Sequence, residues 1–278
     1  MPSLGLSLGL GRVRVLGAAG PIYDPDATAW FEAVEATGAT FGPDSATVSA
    51  NKTAWSNWVI AQKNAESPIA GRSNWDQLTH PGEGYIQPLM GVSTFNIPAM
   101  FGERTFTGFV SGDHLPAMGL KGGDDKVLLA NRDWAGTPQN DVAAGMWITE
   151  SGGASTRRIL GQTGSDNVIM FLEDARTRNR ASTLSDLGTT GPNYNGGVFP
   201  RAAFISRSSS ANYSVRNDAT YSLSVASAGI VSATVSFFAL QTNTANASVR
   251  SGLAFYGRSI DVEAMNIACV ALSQAITW

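Results

Sequence analysis

An all-β sandwich or barrel is the fold that this sequence predicts for its central part, and three observations carry that expectation. Short apolar-rich runs recur from Val127 to Tyr256: Val127–Asn131, Gly145–Thr149, Arg157–Leu160, Val168–Leu172, Arg180–Leu184, Arg201–Ser206, Asn212–Arg216, Tyr221–Val225, Val231–Leu240 and Gly252–Tyr256. Turn residues punctuate them, as in Gly122-Gly123-Asp124-Asp125, Gly152-Gly153, Gly164-Ser165-Asp166-Asn167, Asn195-Gly196-Gly197 and Arg216-Asn217-Asp218. Their spacing is short and even, as sandwiches and barrels require. With 278 residues and 43% hydrophobic content, one large β domain with appended segments fits better than two equal domains.

Residues 1–22 form the first segment. Leu4, Leu6, Leu8 and Leu10 alternate with Gly and Ser, a period of two that gives an extended arm one apolar face. Glycine weakens it as an independent strand. Docked on a neighbour it adds to a sheet edge; undocked it is a solvated leader.

Residues 23–66 read as a helical hairpin. Asp24 caps, Pro25 fits the first helical position, and Ala27, Trp30, Phe31 and Val34 make one apolar stripe that stops at Gly38. A second helix starts at Asp44 or Ser45 and runs to about Ala65, with Val48, Trp55 and Val59 on one face and Trp58 beside them. At roughly 25 cal/mol per Å², burying these tryptophans requires a surface, either the chain's own sandwich or an adjacent subunit. Trp30, Trp55 and Trp58, with the arm leucines, are therefore the candidate attachment residues.

Residues 67–257 are assigned to the sandwich. Its first part, to about Asp125, is broken by prolines and glycines, with short strands expected at Gly84–Ile86 and Thr105–Phe109. Residues 258–278 switch to helical spacing, with Met265, Ala268/Cys269, Leu272 and Ile276 on one face and Ser259 or Asp261 as cap. This last helix is expected to lie on the sandwich or on the N-terminal helices.

Charged residues are 15% of the chain, well under the usual quarter, a composition suited to a surface that other subunits cover. The net charge of −3 offers no electrostatic footprint for nucleic acid. Cys269 is the sole cysteine, which suits a reducing compartment. The N-terminal apolar stretch is broken by glycines and followed by its arginines, the reverse of a signal peptide. No run of 18 apolar residues is present, so no membrane insertion is expected.

Four stretches together resemble a family of tailed-phage virion proteins: SLGLSLGLGRVRV; YDPDATAWFEAVEATG with the helix that follows; VRNDATYSLSVA; and FFALQTNTANASVRSGLAFYGRSIDVEAMNIACVALSQAI. The sequence departs from the pattern at Asp218, in place of a hairpin glycine, and at Gly257-Arg258-Ser259, in place of a simpler glycine step. The resemblance implies a jelly-roll sandwich of the concanavalin-like or laminin-G-like kind. It also implies a structural or receptor-binding component assembled in the host bacterial cytoplasm, with other virion proteins and copies of itself as partners.

No nucleophile elbow, P-loop or H-E-x-x-H motif occurs. His80 and His114 are the only histidines, and His114 lies in a turn-like Ser-Gly-Asp-His-Leu-Pro, where a solvated or hydrogen-bonded role is expected. Asp124-Asp125 and Glu173-Asp174 are adjacent carboxylates; on a strand such neighbours face opposite sides, so neither pair readily lines one cleft. Gly122–Asp125 reads as a hairpin turn. It has oxygen donors for a Ca²⁺ but not the ligand density of a dedicated site, and no cofactor is expected. For sugar contact, an aromatic face with amides nearby is the usual arrangement. Trp134, Asn140, Tyr194 and Asn195 are the candidates, while Trp147 sits in a good strand and reads as core. A non-enzymatic structural protein is thus expected first, a carbohydrate-binding adhesin second, and a glycan depolymerase last.

Overall fold

The structure is a computed structural model. It describes residues 21–123, 125–133, 138–150, 158–162, 169–172, 180–181, 198–216, 219–224, 226–227, 234–238 and 248–278. Four helices are described: α1 (Pro25–Glu35), α2 (Ser45–Asn64), α3 (Asn74–Leu78) and α4 (Val262–Ala275). The strands are β1 (Tyr85–Pro88), β2 (Thr105–Thr107), β3 (His114–Leu115), β4 (Gly119–Lys121), β5 (Val127–Asp133), β6 (Val142–Glu150) and β7 (Arg158–Gln162). They continue with β8 (Ile169–Leu172), β9 (Arg180–Ala181), β10 (Arg201–Arg207), β11 (Asn212–Arg216), β12 (Thr220–Ser224), β13 (Thr234–Phe237) and β14 (Arg250–Gly257).

They form an antiparallel jelly-roll sandwich. An eight-stranded sheet runs β12-β11-β10-β6-β14-β4-β3, with β1 also on β14, and a six-stranded sheet runs β2-β5-β13-β7-β8-β9. The chain passes between the sheets at each step of β4–β5–β6–β7 and again at β12–β13–β14. Gly122–Asp125 is consequently not the hairpin turn read from its sequence. It lies on the crossing from β4 in one sheet to β5 in the other, and Asp125 takes a left-handed φ of 65° there.

The helices make a third layer. Alternation along the strands of the larger sheet splits their side chains between two cores. Val142, Ala144, Met146 and Ile148 of β6, Ala203 and Ile205 of β10, and Ala254 and Tyr256 of β14 face the second sheet. The alternate residues Ala143, Trp147, Ala202, Phe204, Leu253 and Phe255 face α1, α2 and α4. Gly145 completes this second face. A Cβ there would stand 2.6 Å from the Phe204 ring and 2.8 Å from the Phe255 ring, so the two phenyl groups close over bare backbone.

Each helix starts where its cap residue directs. Asp24 accepts from Asp26 N at 2.9 Å and Asp44 from Thr47 N at 2.8 Å, while Asp261 accepts from the amides of Glu263 and Ala264. The apolar stripe of α1 is buried as its spacing requires. Met265, Cys269 and Leu272 of α4, with Ile276 just beyond it, do the same. The short α3 was not foreseen, although Ser73 and Asp76 form a reciprocal capping box that the sequence carries as Ser-x-x-Asp.

Trp30, Trp55 and Trp58 correct the attachment expectation. They are 3%, 0% and 2% exposed, so their rings present no face to another chain. Trp30, Trp55, Trp58 and Trp75 follow one another edge to face, with ring centroids 5.6, 5.8 and 6.4 Å apart. Trp30 Nε1 donates to Pro98 O and Trp55 Nε1 to Met90 O, at 3.0 and 3.1 Å, tying the helices to the loop that follows β1. The surface that covers the hairpin is the chain's own sheet, and the helices at 23–66 and 258–278 belong to one core with the sandwich. Leu4, Leu6, Leu8 and Leu10 lie outside the described residues.

Trp55→Ala is expected to lower unfolding free energy by about 3–5 kcal/mol, the range for a fully buried large aromatic, whereas Val110→Ala at an exposed site changes it by less than about 0.5 kcal/mol. Chemical denaturation of the two variants checks this, and equal midpoints would contradict the helical layer as core.

Candidate functional site

Of the residues proposed for sugar contact, Asn140 alone falls in the described part; Trp134, Tyr194 and Asn195 lie outside it, so their grouping with Asn140 is not described. Asn140 stands in the turn that leads into β6, where Asp141 N donates to Pro138 O at 2.9 Å. It is half-buried, and its Oδ1 has no hydrogen-bond partner among the described residues.

Beside it lies a charged chain that the sequence did not announce. Asp141 Oδ1 accepts from Ser259 N at 2.8 Å, Ser259 Oγ at 2.6 Å and Gln77 Nε2 at 3.3 Å. Arg258 donates from Nε and Nη2 to the two oxygens of Glu83 at 2.8 and 2.9 Å, and its Nη1 lies 3.7 Å from Asp141 Oδ2. His80 Nδ1 lies 3.4 Å from Glu83 Oε1. Two carboxylates, a histidine and an arginine meet here, a set that could serve acid–base chemistry. Their bonds give them another task. Both Glu83 oxygens are taken by the guanidinium fork, and Asp141 Oδ1 already holds three donors. The chain clasps α3, the 80–84 turn and the start of β6 to the step between β14 and α4.

Hydroxyl and amide groups ring the same end of the larger sheet. Gln139 Nε2 donates to Ser227 Oγ at 2.8 Å, Ser227 N to Ser210 O at 2.8 Å, and Ser224 Oγ to Asn212 Oδ1 at 2.7 Å. Next to the charged clasp, this part of the rim is polar and rich in groups able to bond sugar hydroxyls.

The opposite end holds a second charged cluster. Arg250, 5% exposed, donates from Nε to Glu150 Oε2 at 2.9 Å and from Nη1 to the carbonyls of Asp113 and Gly119 at 2.7 and 3.0 Å. The Arg250 hydrogen bond holds the Glu150 carboxyl below its usual range, against burial, with Lys121 adding to it. Burial raises the Asp113 carboxyl, but Lys126, the Val110 amide and Arg250 together outweigh it and bring it below the usual value. Among the described residues no group of three His, Cys, Asp or Glu side chains could hold a metal ion. Asp124 lies outside them.

His114 departs from its turn reading. The 3-10 turn Ser111–Asp113 delivers it into β3, where it is buried and its Nε2 bonds Leu89 O at 2.9 Å. As the carbonyl can only accept, Nε2 carries the proton. Burial pushes the imidazole pKa down to about 4, the Leu89 carbonyl opposing and Arg250 assisting. Trp147 is core, as expected, with its Nε1 donating to Ser273 Oγ of α4.

Comparison with known proteins adds little to this geometry. No protein-family model matches the chain, and no curated protein matches it. Among solved structures, Trypanosoma rangeli sialidase in complex with the inhibitor DANA is similar at 12% identity and a TM-score of 0.46, over 81% of this chain and 38% of that one. Domain 4 of AbnA, a GH43 extracellular arabinanase from Geobacillus stearothermophilus, in complex with arabinotriose, is similar at 11% identity and a TM-score of 0.40, over 61% of this chain and 89% of that one. The chain thus spans under two-fifths of the sialidase length. Neither likeness assigns a residue or an activity here.

His114 gives a pH test. Its folded pKa lies below the unfolded 6.5, so the unfolded chain binds the extra proton first as pH falls. Its contribution to stability is complete above about pH 6.5 and is lost as pH falls toward about 4. The slope of unfolding free energy in that window should drop by up to about 1.4 kcal/mol per pH unit in His114→Gln. Denaturant titrations from pH 7 to pH 4.5 measure it; an unchanged slope would mean that the imidazole is not buried neutral.

Proposed function

We propose that this protein is a non-enzymatic structural component of a tailed-phage virion that displays a rigid β-sandwich. The observation that carries the reading is where the phage-like stretches fall in the fold. YDPDATAWFEAVEATG holds α1, VRNDATYSLSVA runs from the end of β11 through β12, and the last stretch runs from the final residue of β13 through β14 and α4. These stretches are joined physically. Glu263 of α4 pairs with Arg216 at 3.0 Å and accepts from Thr220 Oγ1 at 2.6 Å, on the two strands of that hairpin. Asn51 of α2 donates to Thr277 O at 2.8 Å and accepts from Thr277 N at 2.9 Å, closing the chain's end onto its second helix. The stretches that fall among the described residues therefore belong to one packed body, which is what supports the reading. Attachment in this reading is through the arm at residues 1–22, to other virion proteins or to copies of itself. The low fraction of charged residues suits a crowded particle surface.

A second reading has its own observation. The hydroxyl and amide side chains of Gln139, Ser227, Ser224 and Asn212, which ring the sheet end beside Asn140, fit contact with a host-surface glycan. This makes the displayed body a carbohydrate-binding adhesin on the same scaffold, and does not require cleavage.

Mass spectrometry of purified particles should find this chain, and labelled particles should show it at a fixed position; its absence from particles would sink the virion reading. Deleting residues 1–22 should abolish incorporation while the isolated body keeps its denaturation midpoint, and normal incorporation would remove the arm as anchor. On a glycan array, binding should fall at least about tenfold in Asn140→Ala, Trp134→Ala or Tyr194→Ala, the loss of one polar or stacking contact; an array without any hit would end the adhesin reading.

A further inference from the structure

Two buried donors between β1 and β2 have no acceptor. Tyr85 of β1 is fully buried and stacks on Phe237 with ring centroids 5.7 Å apart, yet its hydroxyl has no hydrogen-bond partner. Arg104, one residue ahead of β2, is half-buried, and its Nε is also enclosed without a partner. Its Nη2 reaches Asn96 Oδ1 at 3.4 Å, and its Cζ stands 5.3 Å from the centre of the Phe106 ring. The backbone brings Tyr85 and Arg104 together. Ile86 N donates to Phe101 O at 2.9 Å and Met100 N to Ile86 O at 2.8 Å, so the segment leading to Arg104 runs beside β1. Gly102, with φ 84°, passes so close that a Cβ would stand 2.9 Å from Gly84 O, 3.2 Å from Arg132 Nη2 and 3.4 Å from the Tyr85 ring. Arg132 Nε in turn donates to Gly84 O at 3.1 Å.

We propose that Arg104 and Tyr85, with Arg132 beside them, bind a single small anion of the chloride class. Charge argues for it first. Among the described residues neither Arg104 nor Arg132 pairs with a carboxylate, and the adjacent Glu103 is exposed. A guanidinium taken out of water without a counter-charge is costly. Burial pulls the Arg104 guanidinium down, with Tyr85 opposing, which is the mark of a charge that the fold leaves uncompensated. Hydrogen bonding argues the same way. A guanidinium has donors and no acceptor. Burial pushes the Tyr85 phenol up, against Arg104, so its proton stays in place to be donated. A water molecule would meet these donors but leave the charge unanswered, whereas an anion meets both. Size follows from enclosure: the Tyr85 hydroxyl and Arg104 Nε are sealed from solvent, so a monatomic ion fits and a carboxylate-bearing sugar does not. Bound there, the ion ties β1 of the larger sheet to the segment that enters β2 of the smaller one. The site does not depend on the virion or the glycan reading.

Two experiments on the full chain test this. Thermal unfolding midpoints should rise further in sodium chloride and sodium bromide than in sodium gluconate of equal ionic strength, because the gluconate anion is too large for an enclosed site. The rise should follow the concentration dependence of a ligand that the folded chain alone binds. In Arg104→Gln the difference between halide and gluconate should vanish, and in Tyr85→Phe the halide should bind about tenfold more weakly, the loss of one hydrogen bond to a charged group. Equal rises in the three salts, or a halide response that survives in Arg104→Gln, overturn the proposal. The second experiment needs no variant, so it decides even where Arg104→Gln fails to fold. Crystals of the wild-type chain grown in sodium bromide should show an anomalous peak within hydrogen-bond reach of Arg104 Nε and the Tyr85 hydroxyl. A water at that point without bromide signal, or bromide at the surface alone, overturns the proposal.

Discussion

The structure depends on one constraint: the three central strands of the larger sheet are apolar on both faces. β6, β10 and β14 are buried along almost their whole length. A strand that is apolar on one side needs a single cover, and the second sheet would have been enough. Here Trp147, Phe204 and Phe255 project from the opposite face and need another. The helices supply it. The stripe of α1, the tryptophans of α2 and the Met265–Leu272 face of α4 close this surface. Hydrophobic area removed from water at both faces explains why segments far apart in sequence, at 25–64 and 262–275, fold as one layer.

Charge fixes β14 at both ends. Arg250 opens it, wrapped by Glu150 and two carbonyls, and Arg258 follows it, held by Glu83 and Asp141. Buried guanidinium groups are tolerated only when their donors are met, and here carboxylates and backbone oxygens meet them. Such pairs position elements more than they stabilise them. They set the register of β14 against β6 and aim α4 back over the sheet. The carboxylates that looked most like a reacting pair are thereby occupied in holding the fold.

Much of this was legible in the sequence because its signals are local. Turn residues between apolar runs located the strands, and Asp24, Asp44 and Asp261 located helix starts, since capping acts within a few residues. What the sequence hid was non-local. β10 and β14 were read as strands, but nothing within them says that both faces are covered; that depends on what arrives from elsewhere. Gly122–Asp125 has hairpin chemistry yet joins two sheets, because turn residues specify a bend and not its destination. His114 looked like a loop histidine; its burial depends on Leu89 and Phe95, about 20 residues upstream. At the site, Asn140 was visible as a loop amide, but the clasp of Asp141, Arg258, Ser259 and Glu83 joins residues more than a hundred positions apart and has no short motif. The capping box at Ser73–Asp76 was local and readable, and the loop-rich setting masked it.

Function follows from how the apolar surface is divided. Had the tryptophan hairpin been free, it would have been the natural means of attachment, and the sandwich a separate head. With those tryptophans turned inward, the surfaces left among the described residues are the sheet ends, the free edges and the outer helical face. These differ in kind. The end around Asn140 combines hydroxyl and amide groups with the charged clasp of Asp141, Arg258 and Glu83. The outer helical face carries the exposed Ile60, Ile267 and Val270. A single packed body thus presents chemically distinct surfaces at its sheet ends and on its outer helical face.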